Sequence, residues 1–231
     1  MGLAVAEALA AEGANVAMFA RRRKLLEPAA ERLGALAVAG DLTVPSDLER
    51  LVERTVGTFG GIDVLVVNGG GPPPGPALGL AAEAVETAVR LLLLSAIRLT
   101  SLCLPHLERS GRGRIVIIES SSVREPIDGL ALSNAVRPGV VGWAKTLARE
   151  LGGKGITVNT IAPGRIDTER LAEVYAARGA SREADIEQIP LRRLGEPREV
   201  ASVVCFLASE QAAYVSGAVM PVDGGLTRSL L

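Results

Sequence analysis

The sequence predicts an α/β fold, a doubly wound parallel sheet between two layers of helices (three-layer αβα), and three observations predict it. Short apolar runs of strand length alternate with longer amphipathic helical patterns along the whole chain. The run at 62–67 is apolar but for Asp63 and that at 115–118 is wholly so, as strands buried on both faces of a parallel sheet are. The 231 residues are 48% hydrophobic but only 3% aromatic, so the core is Ala, Val, Leu and Ile packed between layers, in a length suited to one domain over 1–231.

Taken in order, residues 4–12 read as a helix capped by Gly13, and 15–19 as a short strand. A helix at 25–33 leads to a strand at 35–39 that ends in Gly40-Asp41, and Ser46 caps a helix running through Val56. The strand at 62–67 stops at Asn68-Gly69-Gly70-Gly71 and a proline-rich loop. Helical patterns cover 83–107, and Gly113-Arg114 leads into the strand 115–118 and Ser120, Ser121 and Ser122. A helix from about Pro138 to 151 precedes the strand 156–161, closed by Pro163-Gly164. Residues 165–193 read as an irregular polar stretch of lid length; Pro197 then opens a helix to Ala208, and 218–222 is a last strand ending in Asp223-Gly224-Gly225.

Strands joined through helices imply right-handed crossovers, and ligands of such sheets bind at the carboxyl ends of the strands. Asp41, the Asn68 glycine loop, Ser120 and Pro163-Gly164 therefore belong to one crevice. A formal charge of −1 with interspersed signs provides no field for nucleic acid or an anionic membrane. The apolar stretch beginning at Leu91 is broken by Ser95, Arg98 and Thr100, short of a membrane span, and the cytoplasm is the expected location. Cys103 and Cys205 sit in apolar helical runs and read as small buried hydrophobes, and no His, Cys and acid cluster has metal-ligand spacing.

Asn68-Gly69-Gly70 after a buried strand, Gly113-Arg114-Ile115 with Ser120, Val158-Asn159 with Pro163-Gly164, and Gly195-Glu196-Pro197 through Val222-Asp223-Gly224-Gly225 occur in that order. In this order they resemble the short-chain dehydrogenases, and most nearly the 3-oxoacyl-acyl-carrier-protein reductase branch, from Gly2 to Gly225. The resemblance implies a seven-stranded Rossmann-type sheet, a pyridine nucleotide, a small carbonyl or alcohol substrate, and a homotetramer or homodimer. It places Gly2 as the last glycine of the phosphate turn, Asp41-Leu42 at the adenine, Asn68, Gly69 and Gly70 along the ribose, and Pro163 and Gly164 near the nicotinamide. The strand ending at Phe19-Ala20 carries no acid for a ribose 2′-hydroxyl, whereas Arg21, Arg22 and Arg23 could pair with a 2′-phosphate or simply form a solvated helix start. NADP(H) is therefore favoured over NAD(H).

Two departures from the pattern matter. The family's first strand and its earlier glycines are absent, which predicts either a shortened form of a longer chain or another segment filling the gap. In the catalytic set, Ser120 matches the family's serine, but Ser133 stands at the tyrosine position, Arg137 at the lysine position and Leu92 at the asparagine position. A phenol titrating near pH ~10 needs a nearby cation to act at neutral pH, and a guanidinium cannot relay a proton. Hydride transfer then depends on Tyr175 reaching in from the lid, or on a substrate needing little acid. The reading is a weak or atypical oxidoreductase; the alternative is a non-catalytic nucleotide-binding or assembly protein that keeps the fold. His106 reads as a surface or capping residue, Trp143 as core or subunit contact, and Asp223 as a turn former.

Overall fold

Among the described residues every strand pairing is parallel, and each strand but the last is followed by a helix before the next one. The structure, a computed structural model, describes residues 1–178 and 181–230. The first half runs α1 (Gly2–Ala11), β1 (Ala17–Ala20), α2 (Arg23–Leu33), β2 (Leu36–Ala39), α3 (Pro45–Phe59) and β3 (Val64–Asn68). A continuous helix follows, built of α4 (Ala82–Val89), a π-helical turn (Arg90–Leu94) and α5 (Ser95–Ser110). Then come β4 (Arg114–Ile118), α6 (Ala131–Leu151), β5 (Thr157–Pro163), α7 (Glu169–Arg178), α8 (Arg182–Gln188), α9 (Pro197–Ala208) and β6 (Val219–Val222).

Among the described residues the strands form two sheets, β1-β2 and β3-β4-β5-β6, rather than the seven-stranded sheet that the resemblance implies. Between β1 and β3 lies a cleft of about 1900 Å³, walled by Val16, Met18 and Phe19 on one side and Val64, Val66 and Asn68 on the other. The split falls where the expected first strand would have paired with both neighbours.

The four-stranded sheet shows why the run 115–118 in β4 reads as continuously apolar. Ile115 and Ile117 pack with Leu48, Leu99, Val140 and Val158 in one cluster, formed with α3, α5 and α6. Val116 and Ile118 pack with Val5, Val200, Val204 and Leu207 in another, formed with α1 and α9 on the opposite face. Register sets the functional edge: Asn68 pairs with Ile118 and Ile118 with Ile161, so the carboxyl ends of β3, β4 and β5 are level.

Several boundaries differ from the expectations. Ser46 is not the cap of α3; Val44 is, with Pro45 in the first turn, where its fixed φ fits and its missing amide is not needed. Asp47 instead accepts from the Asp41 amide at 2.8 Å. α6 begins seven residues before Pro138, which lies inside it, because Leu132 and Val136 pack against Ala88 and Leu92 and hold the earlier turns helical. The stretch 165–193 is not irregular; it carries α7 and α8, the latter capped by Ser181 Oγ accepting from the Ala184 amide. The helix Ala82–Ser110 is long and apolar enough to cross a bilayer by length and composition. Here Ala96, Leu99, Cys103 and Leu107 of its α5 portion lie in the protein core.

Candidate active site

β4 leaves the sheet with its backbone extended, and Ser120 sits at φ −163° and ψ 156°. Its Oγ accepts from the Ser122 amide at 3.2 Å and caps a 3₁₀ turn, Ser121–Val123. That bond makes Ser120 a turn former and leaves its own hydroxyl proton unused.

Ser133 and Arg137 stand one turn apart on α6, both buried, and Arg137 Nε donates to Ser133 Oγ at 2.9 Å. The other end of the guanidinium is anchored twice. One terminal nitrogen donates to Glu119 Oε2 at 2.7 Å and the other to the Gly70 carbonyl at 3.2 Å. The Arg137 and Glu119 side chains are 9% and 4% exposed, so this is a buried ion pair. Burial pushes the Glu119 carboxyl above its ordinary range, and the charge and hydrogen bond of Arg137 oppose that rise.

Of the expected site residues, some touch one another at this edge and others are held in their own loops. Asn68 ends β3, and a Cβ on Gly2 would stand 2.8 Å from Asn68 Nδ2, so the start of α1 abuts that side chain. Gly69 lies beside Leu42, and Gly70 accepts from Arg137. A Cβ on Gly164 would meet that of Asp223 at 2.6 Å, so glycine is what lets the ends of β5 and β6 close. Asp41 turns its own loop: its Oδ1 accepts from the amide and hydroxyl of Thr43, which hold its carboxyl below the ordinary range. Arg21 reaches Asp41 at 3.9 Å, and Arg22 pairs with Glu169 at 3.2 Å; both arginines are largely exposed.

The replaced positions are equally plain. Leu92 lies in the π-helical turn, buried against Ala88, Leu132 and Val136, and offers no atom to hold a water. Tyr175, on α7, has a buried hydroxyl; burial and then the Asp185 carboxylate push its phenol up to about 12. Tyr214 is fully exposed, so among the described residues neither phenol is bonded to Ser120 or Ser133. α7 is nonetheless strapped to the cleft, since Arg170 donates to the Pro72 carbonyl at 2.6 Å while Glu169 holds Arg22.

Glu119, Glu169 and Arg170 were not visible as site residues in the sequence. For Glu119 a signal existed: an acid directly after a fully apolar strand and before three serines is out of place in a buried edge unless paired. Its partner, eighteen residues on, could be identified only from the fold. Trp143 packs against the core cluster, His106 bonds Arg109 at the helix surface, and both cysteines are free thiols. No group of metal-binding side chains occurs among the described residues.

Parallel strands covered on both faces, with polar groups gathered at their carboxyl ends, define an α/β protein of the class that receives its ligands at that edge. The family described as enoyl-(acyl carrier protein) reductase matches residues 1–227. The chain is 35% identical over 98% of its length to a 3-oxoacyl-acyl-carrier-protein reductase of Vibrio cholerae, of which it covers 92%. It therefore belongs to the short-chain dehydrogenase/reductase family. Two solved structures, each 32% identical, align over 99% of this chain and 93% of their own. One, with a TM-score of 0.91, is an NADPH-bound short-chain oxidoreductase of Pseudomonas aeruginosa described as containing an atypical catalytic center. The other, at 0.92, is the L-sorbose reductase of Gluconobacter frateurii with NADPH and L-sorbose.

Proposed function

We propose that the chain, one domain over residues 1–231, is an NADP(H)-dependent oxidoreductase that interconverts a small carbonyl compound and its alcohol with weak acid assistance. The observation that carries the reading is that Arg137 ties Ser133 on α6 to Glu119, the residue before Ser120 at the end of β4, and to Gly70 in the loop after β3. The donor set fits a dinucleotide phosphate. Gly2 opens α1 against the Asn68 side chain, so the helix's first amides lie beside the residues Asn68, Gly69 and Gly70 that would face the ribose, and Pro163 and Gly164 would close the nicotinamide end. Asp41 and Leu42 lie on the adenine side. Arg21 and Arg22 suit a 2′-phosphate, and β1 ends at Ala20 with no acid to prefer a free 2′-hydroxyl.

When bound, the reduced nicotinamide supplies the hydride. Arg137 uses three of its five N–H groups within the protein and retains two to bond ribose hydroxyls. It stays protonated throughout and orients without relaying a proton. Ser133 accepts from Arg137, so its own O–H is available to the substrate oxygen, as is that of Ser120. Neither hydroxyl is an acid near neutrality, so the proton that completes the alcohol comes from solvent. A substrate activated towards hydride, such as a 3-oxoacyl thioester, a ketose or a quinone, suits such a site.

Calorimetric titration with NADPH, followed by turnover against 3-oxoacyl thioesters, ketoses and quinones, tests the reading. Binding without turnover of any of them favours the second reading, a non-catalytic nucleotide-binding or assembly protein. That reading is supported by Leu92 and by the absence, among the described residues, of a phenol bonded to Ser120 or Ser133. We also propose a homodimer or homotetramer, supported by the exposed apolar side chains of Val85, Leu94 and Phe206, and a cytoplasmic location; sedimentation as a monomer would refute the assembly.

A further inference from the structure

We infer that Glu119 sets the charge of the active centre: its carboxylate neutralises Arg137, so position 133 stands beside no net cation and α6 presents a hydrogen-bonding clamp in place of a proton-transfer pair. The inference deepens the proposed function and rests on it for the location of the centre.

The sequence alone suggests that Arg137 preserves the positive charge of the lysine it replaces. The structure adds the countercharge. Arg137 Nη1 and Glu119 Oε2 are 2.7 Å apart, both side chains are shielded from water, and the guanidinium cannot shed its proton. A cation lowers the pKa of a hydroxyl beside it and an anion raises it. When the two are this close together, a group at position 133 feels a dipole in which the opposing effects largely cancel. Of the other cations around the edge, Arg170 is paired with Glu173 at 3.3 Å and Arg165 with Asp185 at 2.6 Å, while Arg124 is tied to the Val219 carbonyl and bonds neither Ser120 nor Ser133. A centre so arranged receives an uncharged polar group and gives little stabilisation to an oxyanion. Restoring only tyrosine and lysine at 133 and 137 would then leave the family's proton transfer impaired, because Glu119 would quench the new lysine as it quenches Arg137.

A phenol placed at position 133 is a direct reporter, read by phenolate absorbance with no cofactor or substrate present. In Ser133→Tyr the added phenol is expected to titrate at or above its ordinary value of about 10. In Ser133→Tyr with Glu119→Gln its acid dissociation constant should rise at least roughly tenfold, about one pKa unit, and adding Arg137→Gln should reverse the rise. Equal titration in the first two variants would overturn the inference. Should the glutamine variant fail the circular-dichroism check for folding, Ser133→Tyr with Glu119→Asp must give a smaller shift of the same sign, and no shift there is equally fatal. Failure of the unmutated chain to bind NADPH would refute the proposed function without moving either titration.

Discussion

In the four-stranded sheet every residue of β4 and β5 is buried, whereas in the two-stranded sheet β1 is half-buried throughout and β2 fully buries only Val38. The residues are of the same kind, Ile-Val-Ile-Ile in one and Ala-Met-Phe-Ala in the other. The difference lies in the neighbours: β4 and β5 are paired along both edges, while β1 is paired to β2 alone and its second edge faces the cleft. Burial is thus conferred on a strand by what flanks it. The division also separates roles, because Ser120, Ser133, Arg137 and Glu119 all hang from the closed sheet and Arg21 and Arg22 from the open one. Chemistry and nucleotide choice should therefore be separable by mutation.

The largest effect is expected on the closed side. Glu119→Ala leaves a buried guanidinium without a countercharge and should cost about 3–5 kcal/mol in a urea melt. Arg137→Met should cost less, since burial already drives the Glu119 carboxyl upward and it can take a proton once its partner is gone. The reverse order would show that the pair is not what holds this edge.

On the open side, fusing five apolar residues and a glycine-rich turn ahead of Met1 supplies a strand to the cleft. New hydrogen bonds on two edges and burial, set against the ordering of the segment, should give about 3 kcal/mol net and slow amide exchange in Ala17–Ala20 and Val64–Asn68. Unchanged exchange in those strands would mean that the cleft does not accept a strand. Smaller again, Arg22→Ala should weaken NADPH binding roughly tenfold, about 1.4 kcal/mol, and leave NADH binding nearly unchanged; equal losses would remove Arg22 from nucleotide choice.

The smallest effect concerns α9, on the covered face. The Arg193 guanidinium, then the Glu196 amide, hold the Glu199 carboxyl down to about 2, below its ordinary 4.5. With the folded value lower than the unfolded one, the contribution to stability is present above about 4.5 and is lost as pH falls towards 2. Glu199→Gln should flatten that part of the acid limb, and high salt should erase most of the difference because the pair is exposed.

How much of this was legible in the sequence follows from which forces are local. The continuous apolar run at β4, set among alternating helical patterns, reads as a parallel sheet in the sequence. The stretch 165–193 reads as irregular because charged residues are scattered through and around α7, although Leu171, Ala172, Val174 and Tyr175 within it are apolar. The start of α6 was hidden by Pro138, whose cost in a helix interior is outweighed by the packing of Leu132 and Val136. At the site, Ser120, Ser133 and Arg137 were located by order and spacing. Glu119 was not, because an ion pair between a strand end and the second turn of a distant helix exists only once both are placed.

The π-helical turn at Arg90–Leu94 carries a consequence for the phase of the helix it interrupts. At about 3.6 residues per α-helical turn, one residue more or fewer rotates everything downstream by roughly 100° about the axis. Ala96, Leu99, Cys103 and Leu107 face the sheet with the wider turn in place. Deleting a single residue there would swing that stripe sideways and bring the polar side of the rod, Arg98 and Ser101 among it, towards the strands. A change of length at this point is therefore closed to the chain.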